Sequence, residues 1–600
     1  MGSTRSRRLT AVLSGAAAVL AVGGGLSAAG AQEPDPPALH SQVAPSVRAK
    51  VSSMTLEQKV GQLFVTYAYG PGADTPHPQN RAEFGVDTPA QVVQRYHLGG
   101  LIHFTWTDSL HEPRQLAELS NGVQRAAVDS GAGIPLLIST DQEQGQVTRI
   151  GEPVTQLPGN MALGAGRSPQ GAELSARITG EELRAMGLNQ NFAPSGDVNV
   201  NPANPVIGVR SFSSDPRLAA ELSAAAVRGY QAPGAAGVSA ATKHFPGHGD
   251  TNQDSHTSLP VIEHTREQWE RLDAPPFREA IAAGTDAIMS AHIVVPELDD
   301  SGEPSTLSPT VLGGMLRDEL GYRGVIVTDS LQMDGVRSAH PDAEIPVLAL
   351  RAGADQLLMP QNLQVAIDGV LGAVRSGELT EDRIDASVER ILEMKRERGV
   401  LDDPFVDPAN VDRVVGSAEH REQAQRITDR STTLLRNDAN ELPLRDPGPV
   451  LVTGAGDEAA TALAERVKAR GAEATALPTG TAPTPQQIGQ AVDRARGGTA
   501  VVLTNAAWNE TNASQRDLVR ELHRSGARVI AVAVRDPYDA AYVEEVPTWL
   551  ATYSDKPVAM ESLARVLFGE QAPVGRLPVP VPDPASPGAE RFPFGHGLSW

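Results

Sequence analysis

The stretch Gly324-Val325-Ile326-Val327-Thr328-Asp329 is a short, mostly β-branched run that stops at a carboxylate. It is too short for a helix and has no polar alternation, so it reads as a strand buried on both faces. Similar runs occur at 60–67, 98–104, 134–140, 188–192, 238–242, 287–290 and 355–359. Helix-patterned segments lie between them, among them 169–186 and 308–320, the latter with Ser308 as N-cap and Pro309 in the first turn. Strands recurring about every 30 to 50 residues have the spacing of βα units in a parallel sheet. Eight units ending near residue 400 predict an α/β fold, a (β/α)8 TIM-like barrel over 46–400. The alternative, a doubly wound open sheet, usually carries fewer strands.

In such a barrel the chemistry sits where strands end and loops begin. The conspicuous polar residues fall there: Asp141, then Asp197 and Arg210, then residues 243–256, His292 and Asp329. That clustering points to a site. Past the barrel, 401–430 contains Asp402-Asp403-Pro404 and Asp407-Pro408 and reads as a linker. A second pattern over 431–600, with strands near 450–453, 500–504, 529–534 and 549–553, predicts an αβ sandwich domain. Its Thr453-Gly454-Ala455-Gly456 reads as a turn, since a lone Gly-rich turn is a weak phosphate signal. The tail ending in Phe592-Pro593-Phe594-Gly595-His596-Gly597 is expected to pack back on the body.

Composition narrows the function. A formal charge of −22 with no long basic run disfavours nucleic acid and anionic membranes as partners. The absence of cysteine excludes disulfides, thiolate metal sites and a cysteine nucleophile. Arg5, Arg7 and Arg8 precede a small-residue apolar run closing on Ala29-Gly30-Ala31, so 1–31 reads as a signal peptide and 32–45 as a leader. A soluble, secreted or cell-envelope protein without stable membrane insertion is expected, and a monomer. Asn509 and Asn512 are glycosylation acceptors only in a host that glycosylates.

The loop Lys243-His244-Phe245-Pro246-Gly247-His248-Gly249-Asp250-Thr251-Asn252-Gln253-Asp254-Ser255-His256 allows three readings. Zinc would find imidazole and carboxylate ligands there, but the spacing matches no helical two-histidine pair. A structural role is the second reading. Acid/base work is the third: Asp254, two residues from His256, can fix its tautomer and make it a general acid near neutral pH. Asp329 is either a helix N-cap or a carboxylate nucleophile held on rigid scaffold. Lys243 and His244, ending a strand, would donate hydrogen bonds into the barrel mouth. Asp141, Arg149 and Arg210 suit charge-assisted bonds to sugar hydroxyls.

The motif Lys243-His244-Phe245-Pro246-Gly247-His248-Gly249-Asp250-Thr251 with Asp254-Ser255-His256 resembles the hallmark of family 3 glycoside hydrolases, in their β-N-acetylglucosaminidase branch. So do Asp141-Gln142-Glu143, residues 204–212, Val327-Thr328-Asp329-Ser330 and, in the second domain, Gly575-Arg576-Leu577-Pro578. The resemblance implies hydrolysis of terminal β-linked GlcNAc from cell-wall muropeptides or chitooligosaccharides, with retention and without metal or cofactor. It implies Asp329 as nucleophile, His256 with Asp254 as acid/base, and Asp141, Arg149, Arg210, Lys243 and His244 as binders of the sugar. A β-glucosidase or β-xylosidase, a phosphorylase, and a secreted carbohydrate-binding protein are the alternatives. Gln144 stands where the family usually has glycine, and Ser195-Gly196 replace a bulkier pair before Asp197; both bear on substrate choice.

Overall fold

The computed structural model describes residues 43–233, 237–506 and 513–600. The expected signal peptide, all but the end of the leader, and Asn509 and Asn512 lie outside the described residues.

Eight short parallel strands form one sheet: β1 (Phe64–Thr66), β2 (Gly100–Ile102), β3 (Leu137–Thr140), β4 (Gln190–Asn191), β5 (Ser239–Phe245), β6 (Ala287–Ser290), β7 (Val325–Thr328) and β8 (Leu357–Leu358). Their order runs β7-β6-β5-β4-β3-β2-β1-β8. A parallel bridge between Val327 and Gln356 joins the two ends into a barrel. Each of the eight expected strands is present, and every strand residue is buried, as a barrel covered by helices requires. The helix Pro169–Ala185 starts at Ser168, whose side chain accepts from the Gly171 amide. Ser308 likewise caps the next expected helix, accepting from the Val311 amide at 3.0 Å; that helix, Thr310–Glu319, is wound as a π-helix.

The second domain has a six-stranded sheet: β9 (Thr433–Asn437), β10 (Val450–Gly454), β11 (Ala474–Pro478), β12 (Thr499–Thr504), β13 (Arg528–Ala533) and β14 (Thr548–Ala551), in the order β11-β10-β12-β13-β14-β9. Only β9 is antiparallel. Helices cover both faces, and two apolar clusters form the core. Strands β9 and β11 escaped the sequence reading for a physical reason. Both are edge strands with short or broken apolar runs: Ala-Thr-Ala-Leu-Pro in β11, which is only partly buried, and only two leucines in β9, which ends in Arg436-Asn437.

Residues 401–430 carry two helices, Val411–Val414 and Ala418–Thr428. They are tied to the barrel through the buried Glu182, which accepts from the Gly416 amide at 3.0 Å and from His420 Nδ1 at 2.7 Å. The second domain docks on the loop after β4. Ser213 Oγ and the Ser214 amide both donate to the Pro578 carbonyl, at 2.6 and 3.0 Å. The tail does fold back: His596 Nε2 donates to the Leu435 carbonyl at 2.8 Å, and Arg167 lies 4.2 Å from the Phe594 ring centre.

Candidate active site

The C-terminal ends of the strands surround a cavity of about 440 Å3. It is lined by Asp141, Arg149, Arg210, Lys243, His244, His256 and Asp329 among others. Seven of the eight residues singled out from sequence thus meet in one place. The eighth, Asp254, reaches the cavity through His256.

The floor is a buried charge network. Lys243, two residues before the end of β5, places Nζ 2.9 Å from Asp141 Oδ1 and 2.6 Å from Glu143 Oε1. Arg210 grips Glu143 with both prongs, Nε to Oε2 at 3.0 Å and Nη2 to Oε1 at 2.9 Å. Burial pushes the Glu143 carboxyl up, but Arg210 and Lys243 outweigh it and hold it well below the usual carboxylate range. Lys243 in turn is disfavoured by burial yet held above its ordinary value by Asp141 and Glu143. Arg149 completes the group, 3.6 Å from Asp141.

His244 is oriented from behind. Its Nδ1 donates to Asp197 Oδ2 at 2.7 Å, leaving Nε2 on the Arg210 side at 3.4 Å. The buried Asp197 also accepts from the amides of His244 (3.2 Å) and His248 (2.8 Å) and from Ser195 Oγ at 3.0 Å. Burial raises its carboxyl, but His244 and His248 bring it below the ordinary value. Ser195, where the resemblance implies a bulkier residue, thus helps to hold Asp197. Gly196 lies where a Cβ would come within 3.1 Å of Thr242. Gln144 adopts φ +72, a conformation that favours glycine, and is tied down by its side-chain bond to Thr179 Oγ1 at 3.0 Å.

Asp329 follows β7. Its Oδ1 accepts from the Ser330 amide at 2.7 Å. Burial raises its carboxyl, but His244, His292 and Lys243 overcome that and keep it ionised below the ordinary value. His292 Nε2 donates to the Ser330 carbonyl at 2.9 Å, so Nδ1 faces the Thr306 hydroxyl at 2.9 Å. This bracing of residues 329–330 explains the polar residue at the end of β6.

The loop after β5 is clamped at both ends and open at its tip. Asn204 Nδ2 donates to the His248 carbonyl at 2.9 Å, and His248 Nε2 pairs with Ser255 Oγ at 3.0 Å. Burial lowers the His248 imidazole to about 4, so it stays neutral. His264 bridges Asp250 (2.9 Å) and Asp273 (2.6 Å), and those two carboxylates raise its imidazole to about 10. Gly335 has no room for a Cβ, which would lie 2.9 Å from the Ser255 carbonyl, so the loop packs directly on the helix after β7. At the tip, His256 Nδ1 and its amide both donate to Asp254 Oδ1, at 2.7 and 2.9 Å. The His256 side chain is 61% exposed, free to meet a ligand with Nε2. No group of three or more potential ligands able to hold a metal exists among the described residues.

Sequence alone gave no role to Glu143 or Trp106, and it marked Asp197 and His248 only as polar residues at the strand ends. Glu143 was visible in Asp141-Gln142-Glu143; the others carry signals no stronger than many loop residues.

Residues 55–394 match the glycosyl hydrolase family 3 N-terminal domain, and residues 432–600 match the family's C-terminal domain. A β-hexosaminidase A of Pseudoalteromonas piscicida is 36% identical over 66% of this chain and 70% of its own. A β-N-acetylglucosaminidase/β-glucosidase of Cellulomonas fimi is 27% identical over 89% of this chain and 95% of its own. The solved structure of a family 3 β-N-acetylglucosaminidase from a Paenibacillus species is 39% identical, with a TM-score of 0.79, covering 88% of this chain and 99% of that one. This chain belongs to glycoside hydrolase family 3 and is a glycoside hydrolase.

Proposed function

We propose that this family 3 glycosidase is a retaining exo-β-N-acetylglucosaminidase. The observation that carries the proposal is one cavity lined both by an ionised, braced carboxylate, Asp329, and by an imidazole oriented by a carboxylate, His256 with Asp254. A retaining glycosidase needs a nucleophile and a separate proton donor. Asp329 attacks the anomeric carbon. As the C1–O bond breaks, His256 Nε2 gives its proton to the departing oxygen, while Asp254 stabilises the imidazolium before that transfer. In the second step, neutral His256 takes a proton from water, whose oxygen displaces Asp329 from C1. The β-configuration is restored.

The floor suits a neutral polyol. Asp141, Glu143, Lys243 and Arg210 present paired donors and acceptors to hydroxyls, and His244 Nε2 offers one more polar contact for a sugar or its N-acetyl group. The substrates are GlcNAc-terminated oligosaccharides, from chitin or cell-wall muropeptides, met outside the cytoplasm after export through residues 1–31. A β-glucosidase activity is the second reading, because the Cellulomonas fimi relative carries both names.

The test is nitrophenol release from the aryl β-GlcNAc glycoside beside the β-glucoside, with and without chelator and in phosphate buffer. Rapid chelator-insensitive GlcNAc release supports the proposal. Preference for glucoside overturns the sugar assignment, loss to chelator overturns the metal-free mechanism, and GlcNAc 1-phosphate as the product replaces hydrolysis by phosphorolysis.

A further inference from the structure

Aromatic residues make up only 4% of the chain, with five tryptophans in 600 residues. Trp106 lines the catalytic cavity with its side chain still about half in water, at 51% exposure. Its setting is built. Phe104 stacks beneath it at 5.2 Å and 18°, and Tyr67 meets it edge-on at 4.7 Å. The turn Thr105–Thr107 is held by the Thr107 hydroxyl on the Phe104 carbonyl at 2.7 Å and by the Gly70 amide on the Thr107 carbonyl at 2.9 Å. The hydroxyls of Tyr67 and Tyr69 both donate to Glu83, at 2.9 and 2.7 Å. Gln332, three residues after Asp329, donates to the Tyr67 hydroxyl at 3.0 Å. An exposed indole of fixed orientation on a polar rim is a binding surface more readily than a packing defect.

The burial gradient says what it binds. Lys243 and Glu143 are almost wholly buried at the floor, whereas His256 and Trp106 are the exposed members at the mouth. An exo-acting glycosidase holds the terminal sugar deep and its leaving group outward, on the side of the proton donor. From these observations, and resting on the reading of the site as an exo-β-N-acetylglucosaminidase, we infer that Trp106 is the platform for the second sugar: its indole stacks on the pyranose face of the leaving group and selects saccharide over small leaving groups. Contact with a leaving group that is already bound in the ground state strengthens substrate binding more than the chemical step.

The test compares N,N′-diacetylchitobiose with β-GlcNAc azide, whose leaving group has no sugar face. Trp106→Ala should lower kcat/KM for chitobiose about tenfold, mostly through KM, and leave the azide within about twofold. Trp106→Phe, which keeps a smaller ring, should fall between wild type and Trp106→Ala on chitobiose. Retained azide turnover reports an intact fold and deep site. Equal losses on both substrates in both variants overturn the inference, as does unchanged chitobiose kinetics. A wild type that cleaves neither GlcNAc substrate instead removes the substrate reading, and the inference with it.

Discussion

Lys395 lies in the helix Glu381–Glu397 with its ammonium fully buried, donating to Gln62 Oε1 at 2.8 Å and to no other described side chain. Burial lowers its pKa from 10.5 to about 7. The unfolded chain therefore binds more protons between those values, and this lysine makes stability rise with pH across that window. At about 1.4 kcal/mol per unit, its burden approaches about 5 kcal/mol at pH 6 and falls to about 1 kcal/mol by pH 10. Lys395→Met keeps the length of the stem and removes the charge. It also strands Gln62 Oε1, at a cost of about 1–3 kcal/mol that does not depend on pH. The methionine variant should thus be more stable than wild type by about 3 kcal/mol at pH 6 and slightly less stable at pH 10. Urea unfolding of both proteins, followed by tryptophan fluorescence from pH 6 to 10, gives the difference directly, and titrations common to both cancel. Two stability curves that run parallel across this range would refute the reasoning, because packing effects alone carry no pH dependence.

His256→Ala should lower turnover of chitobiose by about 10²–10³-fold, with much less effect on aryl glycosides whose leaving groups need no proton; equal losses would remove the acid role. Asp329→Asn should reduce turnover of every substrate by about 10⁴-fold or more with an unchanged melting temperature, and trapping of a glycosyl–enzyme by mass spectrometry should fail in that variant alone. His264→Gln should destabilise the loop after β5. Because His264 is raised to about 10 from 6.5, its contribution is whole below pH 6.5 and disappears as pH rises through 10. The variant should lose about 3 kcal/mol at pH 6, shrinking towards the cost of lost packing above pH 10, as read from melting temperatures across that range.

The barrel was legible because its strands are buried on both faces, which writes them as continuous apolar runs at regular spacing. Edge strands β9 and β11 leave no such run, β9 offering only Leu434-Leu435 before Arg436 and β11 being broken by Thr475 and closed by Pro478. Asp141, Lys243 and Asp329 were legible for a related reason: each stands at or just past the end of an apolar run, where a barrel puts its mouth. Glu143, on the cavity floor, and Asp197, behind His244, left a weaker mark. Their importance comes from partners 67 and 47 residues away in sequence, Arg210 and His244, and no local pattern encodes such distances. The same holds for Lys395, which looks like any lysine on a charged helix until its partner Gln62 is found 333 residues away.

Local hydrophobic spacing by itself determined the barrel, its eight strands and the end of it that carries polar residues, since burial on a period of two or 3.6 residues is a property of contiguous chain. The long motifs determined the family. Only the tertiary structure decided which polar residues meet, which carboxylates stay ionised, and which tryptophan is left facing the cavity. Those depend on the electric field and solvent access created by segments distant in sequence, which exist only once the chain has folded.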